Sequence, residues 1–157
     1  QLQRVQALSD DIEDIERKLA LWKKEDAAAK RLMAIPGVGL LTATAAVATI
    51  GDAKVFKNGR QFAAFLGLVP RQAGTGGKVR LFGISKRGDT YLRKLLIHGA
   101  RSVITHQKAR APWLEQLLAR RPFNAAVVAL ANKMARTIWA LLAHDRTYQN
   151  GVTAQAA

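Results

Sequence analysis

Residues 33–50 read MAIPGVGLLTATAAVATI, and the architecture turns on how that stretch is read. The residues around it favour helix, but Pro36 lacks an amide donor and Gly37 and Gly39 tolerate positive φ, so a helix must break there. The alanine-rich run 40–50 resumes as a helix. Helix, Pro-Gly-Val-Gly, helix is the order of a helix-hairpin-helix. Backbone amides at the start of its second helix can meet a phosphate, and Gly37 and Gly39 allow close approach. The alternative is a helical hairpin with a purely structural role.

Upstream, Leu2, Val5, Leu8, Ile12, Ile15, Leu19 and Trp22 alternate steps of three and four, close to a heptad seam. This predicts an N-terminal coiled-coil helix with charged flanks, carried by the alanines at 27–29 toward Met33. It either packs on its own domain or pairs with another segment or a second copy. Downstream, residues 58–66 suit a short helix with Phe62 and Phe65 inward, ended by Gly67 and Pro70. Asp89 suits the N-cap of a long helix through Tyr91, Leu92, Leu95, Leu96, Val103 and Ile104 toward His106. Pro112 opens a helix over 113–120. Residues 123–143 give another, with Val127, Leu130, Met134, Ile138 and Leu142 as its core stripe. The expected class is all-α, with a helix-hairpin-helix-like element and room for a small β-hairpin. The expected organisation is a coiled-coil or linker helix at 1–30, a main domain at 31–145 and a flexible tail at 146–157.

Composition narrows the function. The 157 residues hold 25 Lys and Arg against 11 Asp and Glu, a formal charge of +14, and no cysteine. Cysteine's absence removes disulfide frameworks, zinc-thiolate sites and thiol nucleophiles together. The charge is uneven: residues 1–30 hold six basic and seven acidic residues, and residues 31–157 hold nineteen and four. Such a field favours a polyanion, because each neutralised phosphate releases condensed counterions. The run 38–50, taken as the longest weakly polar stretch, is too short to span a bilayer, and no secretory signal is evident, so a cytoplasmic protein without a membrane partner is expected. Gln1 at the start leads us to expect a longer polypeptide.

The stretch RQAGTGGKVRLFGISKRG at 71–88 has no helical periodicity and concentrates glycine and positive charge. Residues 78–82 suit one arm of a hairpin, and a long loop in a compact domain is usually functional. The three histidines lack metal-ligand spacing, and the four acids beyond residue 30 (Asp52, Asp89, Glu115 and Asp145) are widely separated, so no metal site is expected. Val79 after Gly76-Gly77-Lys78 stands where a phosphate loop needs Ser or Thr. Residues 83–88 are one residue too long for a Gly-x-Ser-x-Gly elbow. What remains is a basic glycine-rich segment bearing Thr75 and Ser85. A hydroxyl attacking a phosphodiester needs nearby cations, and Lys86 and Arg87 are suitably placed, as is Arg93 one turn into the next helix. On the bland reading Ser85 caps a turn and the cations merely hold a nucleic-acid backbone.

Taken in order, Ile35-Pro36-Gly37-Val38-Gly39, Phe65-Leu66-Gly67-Leu68-Val69-Pro70-Arg71, Gly76-Gly77-Lys78, residues 83–89 and Tyr91-Leu92-Arg93 resemble the C-terminal transposase domain of the insertion-sequence 110 and 1111 class. The resemblance covers roughly residues 30–110. It implies a DNA transposase that mobilises an insertion sequence by cleavage and strand exchange through a serine-phosphate intermediate, guided by a structured, bridge-type noncoding RNA. It further implies a two-part enzyme. A RuvC-like domain elsewhere supplies acidic ligands for a divalent metal such as magnesium, no cofactor is expected in this chain itself, and the first helix helps several copies assemble. In similar sequences the nucleophilic serine falls just before Thr75-Gly76-Gly77, where this chain has Ala73 and Gly74. An alanine cannot attack phosphorus, so this chain is expected to bind and not cleave, and Ser85 is the rival nucleophile. Arg71, Gly76, Gly77, Lys78, Arg80, Lys86, Arg87 and Arg93 are the expected nucleic-acid contacts, with Gly37 and Gly39 from the helical hairpin. The rival function is a non-catalytic helix-hairpin-helix nucleic-acid-binding module.

Overall fold

The computed structural model describes residues 2–75, 78–107 and 109–149. Among these, seven helices follow in order: α1 (Leu2–Glu25), α2 (Ala27–Leu32), α3 (Leu40–Ile50), α4 (Gly59–Phe65), α5 (Thr90–His106), α6 (Pro112–Arg120) and α7 (Phe123–Ala143). A 3-10 turn at Ala53–Val55 links α3 to α4, and one antiparallel hairpin, β1 (Pro70–Thr75) and β2 (Lys78–Ile84), separates α4 from α5. The domain is therefore all-α apart from that hairpin.

The core forms around α7, which packs against α4, α5 and α6. Val127, Leu130, Met134 and Ile138 are buried as their spacing requires, while Leu142 lies at the margin and Leu141 takes the deeper place. Phe62, Leu92, Leu96 and Ile138 are wholly enclosed. Each such side chain contributes about 1.5–3 kcal/mol by leaving water. The longest apolar stretch is thus α7 and not residues 38–50. By length and composition alone α7 could cross a bilayer, but here its apolar face is spent on the core.

Local chemistry explains several boundaries. Asp26 interrupts the long N-terminal helix expected from sequence: its carboxylate accepts from the amides of Ala28 and Ala29 at 2.7 and 3.1 Å and caps α2. Asn58 and Asp89 cap α4 and α5 by accepting from Gln61 and Leu92. The Pro36-Gly37 turn joins α2 to α3 with Ile35 and Val38 buried. One inward assignment, Phe65, is corrected. Phe65 is 44% exposed, its ring leaning on Phe56 at the edge of the core, and Tyr91 in the first turn of α5 is 59% exposed. Along α1, Leu2, Val5, Leu8, Ile12 and Ile15 are all exposed, and it is the later part, with Glu16 and Ala20, that lies beside residues 33–42. Packing on its own domain therefore does not account for the N-terminal seam. In the expected tail, Tyr148 packs against the core, and residues 150–157 lie outside the described residues.

Candidate nucleic-acid interface

Within the non-helical segment 71–88, where residues 78–82 suit one arm of a hairpin, the chain forms a two-stranded β-ribbon. Gly67, with φ +70, ends α4, and the amide of Leu68 returns to the Ala63 carbonyl at 3.0 Å, which turns the chain out of the helix. Leu68 is buried as the anchor, and β1 leaves the body at Pro70. Ala73 pairs directly with Arg80 and Gln72 with Leu81, with an irregularity between Pro70 and Gln72. Arg71, Gln72, Ala73, Gly74, Arg80, Leu81, Phe82 and Gly83 are all exposed. Residues directly opposite in a ladder share a face, so Ala73 and Arg80 lie side by side. A two-stranded ribbon exposed on both faces gains little from its own packing. It is also a shape that enters the major groove of DNA. Gly76 and Gly77 lie outside the described residues. For Thr75 and Lys78 the description extends only to their place in the strands, where they pair with each other.

The return from the hairpin is fixed backbone to backbone. The Ser85 amide donates to the Val69 carbonyl at 2.8 Å and the Lys86 amide to the Gly67 carbonyl at 3.1 Å. A Cβ at Gly67 would run into the backbone of Arg87, and one at Gly88, whose φ is +78, into the Phe65 carbonyl. Both glycines are therefore required by close approach. Lys86 adopts φ +58, the left-handed region, inside this interlock. Its side chain and that of Arg87 are exposed.

Arg93, one of the expected phosphate contacts, lies inside the fold. It is 6% exposed, and its guanidinium donates to the carbonyls of Leu66 and Arg87 at 2.9 Å each and to the Thr90 hydroxyl at 3.1 Å. A guanidinium so occupied has little left for a ligand. It positions Lys86 and Arg87 by tying their loop to the end of α4. Ser85 is half-buried, and its hydroxyl accepts from the Arg87 amide at 3.5 Å, a long contact of the turn-capping kind. Gly37 is likewise explained by packing. With φ +83 it abuts α5, where a Cβ would come within 2.7 Å of the Gly99 carbonyl and 2.8 Å of Val103 Cγ2. Gly39 is exposed, begins α3 without a side-chain cap, and has open space around it.

The acids beyond α1 are spread over separate structural duties. Asp52 caps the 3-10 turn, Asp89 caps α5 and accepts from the Thr49 hydroxyl at 3.0 Å, and Asp145 pairs with Arg31, joining the end of α7 to α2. Among the described residues no three acidic or histidine side chains converge as a metal would need.

Sequence reasoning passed over one group. Asn132 of α7 donates to the Leu68 carbonyl at 3.1 Å, at the foot of the hairpin. Beside it, the Lys133 ammonium lies 4.2 Å from the centroid of the Trp113 ring, and Arg136 follows one turn on. Burial, and then the charge of Arg136, hold the Lys133 pKa below its ordinary 10.5. The available signal was two cations a turn apart within an otherwise apolar helix.

Residues 29–114 match the family model described as transposase IS116/IS110/IS902. The chain is 52% identical over 151 residues to a probable family 20 transposase of Pseudomonas aeruginosa, covering 94% of this chain and 45% of that protein. It is 49% identical over 144 residues to the transposase for insertion sequence element IS1111A of Coxiella burnetii, covering 89% of this chain and 40% of that protein. A third similar protein, the transposase for IS1328 of Yersinia enterocolitica, is 46% identical over 136 residues, 84% of this chain and 41% of the relative. The chain thus spans less than half the length of these relatives. The family model and these likenesses agree: the chain belongs to the IS116/IS110/IS902 transposase family.

Proposed function

We propose that this chain is the DNA-handling part of a transposase that cuts and exchanges strands through a phosphoserine link, with position 73 as the site of attack. The observation that carries the reading is the exposed hairpin, with Ala73 directly opposite Arg80. A serine at 73 would stand beside a guanidinium able to stabilise the charge building on phosphorus. Its oxygen would bond to phosphorus and displace one deoxyribose oxygen, leaving phosphoserine and a free hydroxyl end. Attack by a hydroxyl end on that phosphoserine then releases the serine and rejoins the DNA. Arg71, Arg80, Lys86 and Arg87 hold the backbone during these steps. With alanine at 73 the chain binds without cleaving. Ser85, held in a turn, is the less accessible hydroxyl.

The metal-bearing share of the reaction is assigned to a separate RuvC-like domain, and target choice to a bridge-type guide RNA, both on the family resemblance. Assembly of several copies is assigned to the seam of α1. The deciding experiment introduces Ala73→Ser in the full-length protein and looks for a covalent protein–DNA adduct with element-end DNA. An adduct that appears only in the Ala73→Ser variant supports the reading. One formed already by the unaltered protein and abolished by Ser85→Ala would move the nucleophile to 85. Binding without an adduct in either form would favour the non-catalytic helix-hairpin-helix module, for which the uncapped start of α3 at Gly39 offers free amides.

A further inference from the structure

Lys133 and Arg136 are half-buried on α7, one turn apart, and neither makes an ion pair with an acid among the described residues. Like charges at this spacing repel. Their helix is otherwise apolar here, with Met134, Ala135 and Ile138 in the core, so a neutral side chain would pack at either position with less electrostatic cost. Burial and mutual repulsion both work against the charge on Lys133. The ring of Trp113 partly offsets this by fixing the ammonium over its face, which reduces the freedom a lysine would lose on binding an anion. The bond from Asn132 to the Leu68 carbonyl sets the same turn of α7 against the segment just before β1.

We propose that Lys133 and Arg136, with Trp113 beneath the lysine, form a second phosphate site that takes a backbone phosphate of nucleic acid at the foot of the hairpin. The ligand chemistry is a phosphodiester oxygen, which DNA and RNA both supply. The proposal rests on the reading of this chain as a nucleic-acid binder, but not on position 73 or on cleavage. A bound phosphate supplies the negative charge that the fold withholds from this pair.

The test measures affinity of the full chain for a fluorescent 20-base-pair DNA duplex and, separately, for an RNA hairpin, across a salt series. Lys133→Met keeps the stem over the ring, and Arg136→Met is its companion. Each is expected to weaken binding by about tenfold, the loss of one charge-assisted contact. Each should also flatten the salt dependence by about one phosphate. Lys133→Arg restores binding, and Arg4→Gln, which removes an equal charge from α1, leaves it unchanged. Thermal melting accompanies each variant, and Lys133→Met is expected not to lower the midpoint. A loss confined to one arm assigns the site to DNA or to RNA and supports the proposal. Unchanged binding in both methionine variants, with Arg80→Ala still weakening it, overturns the second site and leaves the hairpin reading intact. An equal loss in Arg4→Gln overturns it as a mere effect of net charge. No binding by the unaltered chain to either probe overturns both readings.

Discussion

Arg93 and Lys86 show how a motif read as a phosphate grip divides between holding and displaying. Arg93 is enclosed, and truncation would leave the Leu66 and Arg87 carbonyls without their donor. Arg93→Met is expected to cost about 2–4 kcal/mol in denaturant unfolding, since buried acceptors lose partners and a charged donor is removed. A change under about 0.5 kcal/mol, the range of ordinary surface substitutions, would contradict the structural role. Lys86 holds a left-handed backbone that a side chain rarely adopts. Lys86→Gly and Lys86→Ala both delete the charge, yet the glycine variant should be the more stable by about 1 kcal/mol, because only glycine relieves the strain. Equal stabilities of the two would refute it. For Lys133 the sign runs with its lowered pKa. The contribution of its titration to stability is present above the ordinary 10.5, where the amine is neutral folded or unfolded, and is lost as pH falls through the lower folded value. The stability of the unaltered chain relative to Lys133→Met should therefore rise as pH climbs toward 10.5 and level off above it, as read by urea melts at successive pH values.

At the scale of elements, the hairpin and the first half of α1 are left open by the rest of the described chain. The hairpin stays attached because its exit and return lie backbone on backbone, through Gly67 and Gly88 and the Arg93 fork. That construction lets the two strands stand in solvent on a base fixed backbone to backbone, which suits the proposed entry of the ribbon into a groove. Among the described residues the seam of α1 over Leu2, Val5, Leu8, Ile12 and Ile15 stays exposed, Ile12 by 57%. Burying such a side chain against a second copy is worth about 1.5–3 kcal/mol. Ile12→Lys with Ile15→Lys is therefore expected to shift the chain to monomer in sedimentation without altering the melting of the helical core. A chain already monomeric at high concentration would remove the assembly role from this helix.

For the molecule as a whole, the charge is divided as sharply as the packing: α1 carries most of the acids, and the remainder is strongly basic. If Arg71, Arg80, Lys86 and Arg87 each neutralise one phosphate and the Lys133–Arg136 pair one more, log affinity for duplex DNA should fall against log salt with a slope of roughly −4 to −5. A slope near zero between low and moderate salt would argue against backbone contact. The sequence by itself determined the helices and most of their ends, because capping side chains, proline, glycine and apolar spacing act over a few residues. Asn58, Asp89 and Pro112 were legible for that reason, and the motif order carried the family. One arm of the hairpin, at 78–82, was legible too, but its partner strand and register were not, since glycine and alternating charge do not announce which residues pair. Only the tertiary structure decided that Arg93 faces inward, that Gly37 meets Gly99, and that Lys133 rests on Trp113 beside the hairpin's foot. Those facts depend on which surfaces of distant segments come together, and burial, unlike helix propensity, belongs to the assembled chain.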